Sequence, residues 1–177
     1  DLKAPVRSLA FSITTDDNQE WRVAMNTPPV MAVATPEAFF KQLQALSPDP
    51  VTKKRSPEKI KAFFAAHPES AAFNNWKSSY TPTSSFATEQ YHSINAFYLM
   101  DENDGKHAVR WIAKPQLRDE NIQPLNNDSP DVLQLQLKDQ VAQSPVKFDM
   151  LFSFATEEDD ENNPTVLWPQ SRKTINA

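Results

Sequence analysis

Cysteine is absent from the 177 residues. That excludes a disulfide framework, cysteine-ligated zinc, iron–sulfur clusters and a thiol nucleophile, and it leaves the redox compartment undecided. Glycine occurs once, at Gly105. P-loops, dinucleotide fingerprints and nucleophile elbows need glycine where backbone approaches a ligand or turns sharply, and none of those motifs is present. Basic charge is scarce as well: 18 Lys and Arg against 23 Asp and Glu leave a net charge of -5, which argues against a nucleic-acid partner or a polybasic membrane surface. The longest apolar stretches, residues 30–34 and 62–66, fall far short of the roughly 20 residues a membrane helix needs. The length suits one domain, able to bury roughly 70% of its unfolded surface.

What the chain has instead is proline and aromatic bulk: 15 Pro, 11 Phe and 4 Trp. Four prolines follow a candidate N-cap and precede an acid, at Thr35-Pro36-Glu37, Ser56-Pro57-Glu58, His67-Pro68-Glu69 and Ser129-Pro130-Asp131. Proline at the first helical position sacrifices no needed N–H, and an acid in the first turn suits the positive end of the helix dipole, so these mark four helix starts. Phe39, Leu43 and Leu46 then share one face of the first helix, and Ile60, Phe63 and Phe64 one face of the second. The third carries Phe73 and Trp76, and the fourth Leu133, Leu137 and Val141, closed by Ser144-Pro145.

Elsewhere the period is two. Leu9, Phe11 and Ile13 face Trp21, Val23 and Met25 across a polar turn, which predicts a hairpin. Ile94, Ala96, Tyr98 and Met100 precede Asn103-Asp104-Gly105-Lys106, and Val109 and Trp111 follow it; Asp-Gly between such runs predicts a tight hairpin with positive φ at both residues. Val146, Phe148, Met150, Phe152 and Phe154 form the longest alternation. Hairpins without βαβ crossovers imply an α+β fold on an antiparallel sheet, strongly curved or closed into a β-barrel, with about four helices in the connections.

Few residues advertise chemistry by spacing alone. His67, His92 and His107 share no metal-ligand pattern and read as surface or capping histidines, so no metal site is expected. Asp16-Asp17 and Asp159-Asp160 read as turn residues, and the runs 157–161 and 53–55 as solvated loops. No serine lies in a nucleophile motif and no lysine is flanked by groups that would depress its pKa.

The stretch Trp21-Arg22-Val23-Ala24-Met25-Asn26-Thr27-Pro28-Pro29-Val30-Met31-Ala32-Val33-Ala34-Thr35-Pro36-Glu37-Ala38-Phe39 resembles the haem catalases. There a Trp-led strand runs to a distal-pocket Asn, followed by pocket aromatics around a helix-starting Pro. Val6-Arg7-Ser8-Leu9-Ala10-Phe11 resembles the Arg-Gly strand of that family, with Ser8 in place of glycine. Phe63-Phe64-Ala65-Ala66-His67-Pro68-Glu69-Ser70 resembles its Pro-Glu-Ser helix. Ser93-Ile94-Asn95-Ala96-Phe97 lies where a Gly-x-His-x-Phe run is usual, here with Asn95 for His. Pro164-Thr165-Val166-Leu167-Trp168-Pro169 resembles the Thr-Lys-Val-Trp-Pro signature. The likeness spans nearly the whole chain and is greatest to the small bacterial catalase-related peroxidases.

The resemblance implies a haem-dependent oxidoreductase of the response to oxidative stress, reducing hydrogen or organic peroxides with a small reducing substrate. Haem b, with its iron, would be the cofactor. It implies that Asn26 is the catalytic amide beside the peroxide, and that Ala24, Met31 and Phe39 contact the haem. An amide suits the role because it hydrogen-bonds without titrating, and apolar neighbours keep a haem pocket dry. The distal His and the Tyr phenolate that holds iron in this family have no counterpart here: Tyr80, Tyr91 and Tyr98 all precede Trp168, and none has Arg four residues before it. Residues 1–177 are therefore expected to be the middle of a single catalase-like domain, lacking N- and C-terminal portions. Two readings compete with the peroxidase: a haem-free barrel serving as a small apolar ligand-binding or structural module, and a lipid-hydroperoxide-processing relative. The expected setting is bacterial, periplasmic or cytoplasmic, without membrane or nucleic-acid partners, and a homo-oligomer is left open.

Overall fold

A computed structural model describes residues 2–122 and 129–177. Its frame is a seven-stranded antiparallel sheet. Strand β1 (Ser8–Thr14) and β2 (Glu20–Asn26) form the first hairpin, paired residue for residue from Ser8 opposite Asn26 to Thr14 opposite Glu20. The polar turn between them works because Asn18 takes a positive φ of 62°, which Asn tolerates better than most residues, while Thr15 N–H donates to the Gln19 carbonyl at 3.0 Å.

The two-residue β3 (Tyr91–His92) links β2 to the long β5 (Lys106–Pro115), and β4 (Phe97–Met100) pairs farther along the same edge of β5. Beyond β5 come β6 (Phe148–Phe154) and β7 (Thr174–Asn176). The order β1-β2-β3-β5-β6-β7 leaves the described sheet open, with β1 and β7 at its edges. Of the two expected forms, the described residues show the open sheet. Its core face gathers Val23, Met25, Tyr91, Val109, Trp111, Ala113 and Phe152. Trp21 and Trp111 meet edge to face at 5.3 Å between ring centroids, a favourable geometry for aromatic quadrupoles.

The second hairpin corrects one expectation. Asp104 has φ 60°, but Gly105 has no positive φ. Space is tight there instead: a Cβ would displace the Asp101 carboxylate, whose Oδ1 accepts from the N–H groups of Asn103 and Gly105, each at 2.8 Å. The strand before it is also shorter than the alternation predicts. It begins at Phe97, because Ile94 sits in a left-handed bend with φ 63° and is buried off the ladder.

Among the described residues four α-helices occupy the connections: α1 (Pro36–Leu46), α2 (Pro57–Ala66), α3 (Ala71–Ser79) and α4 (Val132–Gln143). Thr35 and Ser56 cap the first two through their hydroxyls, with Pro at the first position as expected. Pro68 opens a 3-10 turn, Pro68–Ser70, and the α-helix follows it. Pro130 lies outside α4, whose cap is Asp131. In α2 the predicted face is the packed one, with Phe63 buried. In α1 it is not: Ala38 and Gln42 are buried while Phe39, Phe40 and Leu43 are exposed. In α4 the buried face is Val132, Leu133 and Gln136, and Val141 is exposed. No described helix is long and apolar enough to cross a membrane.

Candidate functional site

The alternation that sends Leu9, Phe11, Val23 and Met25 to the core sends Ser8, Ala10, Ala24 and Asn26 to the opposite face. Ser8 lies opposite Asn26 and Ala10 opposite Ala24, so Ala24 and Asn26 share one open patch floored by small side chains. Asn26 is half-buried at the end of β2. Its Oδ1 accepts from the Ser8 hydroxyl at 2.7 Å.

The backbone holding Asn26 is clamped by its neighbour. Thr27 is fully buried, its hydroxyl donating to the Pro5 carbonyl at 2.7 Å and accepting from Arg7 N–H at 3.0 Å. Thr27 N–H in turn donates to the Arg7 carbonyl at 3.0 Å. Read from sequence, Asn26-Thr27-Pro28 is an ordinary turn; the contacts that make Thr27 a clamp come from residues 20 or more positions away. Thr27→Val keeps the shape and strands the buried Arg7 N–H and the half-buried Pro5 carbonyl, each worth about 1 kcal/mol. A loss of about 2 kcal/mol in urea unfolding is expected.

The other two predicted contact residues are not joined to Asn26 by any described hydrogen bond. Met31 is half-buried in the loop after β2, its N–H donating to the Pro164 carbonyl at 2.8 Å. The same loop is pinned from α3's side by the Ser70 hydroxyl, which donates to the Ala32 carbonyl at 2.6 Å. Phe39 stands on the outer face of α1 and is 42% exposed.

His92 corrects the surface-or-cap reading. It pairs with Asn26 across β2 and β3 and is half-buried. Nδ1–H donates to the Thr27 carbonyl at 2.9 Å, and Nε2 accepts from Gln90 Nε2 at 3.0 Å. A neutral ring satisfies both bonds, whereas a protonated one loses the second. Burial pushes its pKa below the usual histidine value, only partly offset by the carbonyls of Thr27 and Asn26. The unfolded chain therefore takes up this proton first as pH falls below about 6.5, and stability present above that pH is lost down to the lower folded pKa. Comparing urea midpoints at about pH 7.5 and 5.5, wild type should weaken more on acidification than His92→Gln.

His67 fits the capping reading, closing α2 with its N–H on the Phe64 carbonyl and its ring 2.8 Å from Glu69. His107 is exposed and lies 3.0 Å from Asp101. The acidic run is not wholly solvated: Asp159 is paired with Arg172 at 2.8 Å, its side chain 4% exposed. Among the described residues no His, Asp and Glu cluster suits a metal ion.

Two features were missed by sequence reasoning. Arg7 and Glu89 form a buried ion pair at 2.7 Å, with side chains 2% and 1% exposed. Glu89 also accepts from Thr83 N–H at 3.0 Å and from the Tyr80 hydroxyl. Burial, with Glu89 beside it, raises the Tyr80 pKa. A cleft of about 440 Å³ opens beside His92, Arg110, Trp76 and Trp168. Arg110 lies 4.5 Å over the Trp168 ring and donates to the carbonyls of Asn163 and Val166. Its outward phase between Val109 and Trp111 was the one available signal. Ala24, Asn26, Met31 and Phe39 do not line this cleft.

The Catalase family model matches residues 1–172. A catalase-related peroxidase of Synechococcus elongatus is 32% identical over 171 residues, covering 96% of this chain and 50% of that protein. One of Mycolicibacterium paratuberculosis is 25% identical over 170 residues, covering 94% and 53%. The chain thus spans about half the length of the curated relatives it matches. Among solved structures, catalase A from Saccharomyces cerevisiae superposes with a TM-score of 0.80 at 16% identity, over 97% of this chain and 38% of that one. A fungal catalase gives 0.81 at 16% identity, over 98% and 38%. At that identity the likeness is one of fold.

Proposed function

Because this chain belongs to the catalase family, we propose that it forms the peroxide-facing wall of a haem-dependent peroxidase that reduces hydrogen or organic peroxides. The observation that carries the reading is the Ala24–Asn26 patch, an amide set among methyl-sized neighbours on an open sheet face. Catalase-related peroxidases at modest identity favour peroxidase over catalase activity.

The residues fit one wall of a haem pocket. Ala10 and Ala24 leave a flat floor, Asn26 Nδ2 makes no hydrogen bond to a described residue, and Phe39 is an uncovered aromatic. They do not supply the ligand to iron. The Tyr80 hydroxyl is held by Glu89, that of Tyr91 by the Phe86 carbonyl and that of Tyr98 by Glu161. The Tyr that would hold the iron and the distal His, both implied by the family resemblance, would have to come from the half of the curated relatives' length that this chain does not span.

When bound, haem would supply the redox chemistry that cleaves the O–O bond. Asn26 donates a hydrogen bond to a peroxide oxygen and orients it without itself gaining or losing a proton. Ala24, beside Asn26 on the same face, gives the amide an apolar neighbour, and Met31 and Phe39 would add to the apolar surroundings of the haem.

Peroxide-dependent oxidation of a small reducing dye, measured beside oxygen release by the haem-loaded whole protein, tests the activity. Dye oxidation dominating oxygen release is expected. Oxygen release alone would make it a catalase, and neither product would refute the enzyme reading in favour of the haem-free module.

A further inference from the structure

An asparagine amide has two different ends: Oδ1 only accepts hydrogen bonds and Nδ2 only donates them. Which end faces a ligand decides what the residue can do, and on an open sheet face nothing in Asn26 itself makes that choice. Ser8 makes it. The two residues are directly opposed across β1 and β2, and the Ser8 hydroxyl donates to Oδ1 at 2.7 Å. No other described group competes for the amide. The next pair on the same face is Ala10 and Ala24, which carry methyl groups. The ring of His92, the cross-strand partner on the other side, has both nitrogens committed to Thr27 and Gln90.

We infer that Ser8 is a positioning residue that locks the Asn26 side chain with its Nδ2 hydrogens outward, making the site a one-way donor to an oxygen lone pair. The hydroxyl does more than hold the rotamer. Donation into Oδ1 polarises the amide and makes its N–H groups stronger donors, the cooperative strengthening expected of linked hydrogen bonds. An alanine at position 8 removes that bond and leaves the amide free to turn over and present Oδ1, which can accept from a peroxide O–H but cannot donate to its oxygen. This inference rests on the reading of Asn26 as the peroxide-facing amide.

The orientation is measured first without haem, on the 15N-labelled whole protein. The Asn26 side-chain NH2 should show an order parameter near that of rigid backbone, about 0.85, falling below about 0.6 in Ser8→Ala and returning in Ser8→Thr. In the haem-loaded whole protein, Ser8→Ala should then slow the reaction with hydrogen peroxide about five- to tenfold at unchanged haem content, the rate equivalent of one hydrogen bond. Ser8→Thr should recover it. An Asn26 amide that stays ordered in Ser8→Ala overturns this inference alone. Loss of order with an unchanged rate also overturns it, because orientation would then not matter to the reaction. A silent Asn26→Ala would sink the proposed role of Asn26 and this inference with it.

Discussion

Asn26→Ala in the haem-loaded whole protein should slow the reaction with hydrogen peroxide by about 10²–10³, the usual effect of deleting one preorganised hydrogen-bond donor at a reacting centre. Haem content should be nearly unchanged. The reason for that split lies in the fold: among the described residues the Asn26 side chain makes one hydrogen bond, accepting from the exposed Ser8 hydroxyl, while the backbone around it is held by the buried Thr27 clamp. Truncating the amide therefore removes a donor and leaves the support standing. Stopped-flow mixing with peroxide, alongside a haem assay, separates the two effects. Equal loss of haem and rate would make Asn26 a structural residue.

Arg7→Met should destabilise the chain by about 3–5 kcal/mol, because it strands a buried carboxylate. Total stabilities of native proteins run to only about 5–15 kcal/mol, so the loss is a large fraction of what holds the fold. Glu89 is 1% exposed, and without Arg7 its carboxylate keeps only the Thr83 N–H and Tyr80 hydroxyl donors. Arg7 also donates to the carbonyls of Leu2 and Thr83, so it ties the entry to β1 to the segment leading into β3. Arg7→Met with Glu89→Gln should recover a substantial part of the loss in urea unfolding, since a neutral amide no longer needs a counter-charge. If the double variant were as weak as the single one, packing by the Arg7 stem would be the cause instead.

Local order was the legible part of this fold. Two clean alternations separated by a polar turn predicted the first hairpin, and the observed register pairs all of Leu9 to Ile13 with Trp21 to Met25. Thr35-Pro36 and Ser56-Pro57 announced their helices because cap and first-turn chemistry are both local. Strands β3 and β7 escaped notice because two or three residues carry no period.

The face of α1 was misread for a different reason. Periodicity reveals an apolar stripe but not what it meets, and the described chain packs Ala38 and Gln42 inward while leaving Phe39 and Leu43 outside. Burial of Arg7 against Glu89 was equally invisible, since it depends on a contact spanning most of the first half of the chain. The site shows the same division. Resemblance singled out Ala24 and Asn26, and strand alternation brings them onto one face. Ser8 and Thr27 gain meaning only from the cross-strand geometry around them.

The central claim, that this face of the sheet serves a haem, is tested most directly by titrating haem into the whole protein and following its Soret absorption. Saturable binding of haem at one per chain, read as a Soret band shifted from that of free haem and weakened when Ala24 on that face is replaced by glutamate, is the predicted result. A Soret spectrum that stays that of free haem at every ratio would contradict it.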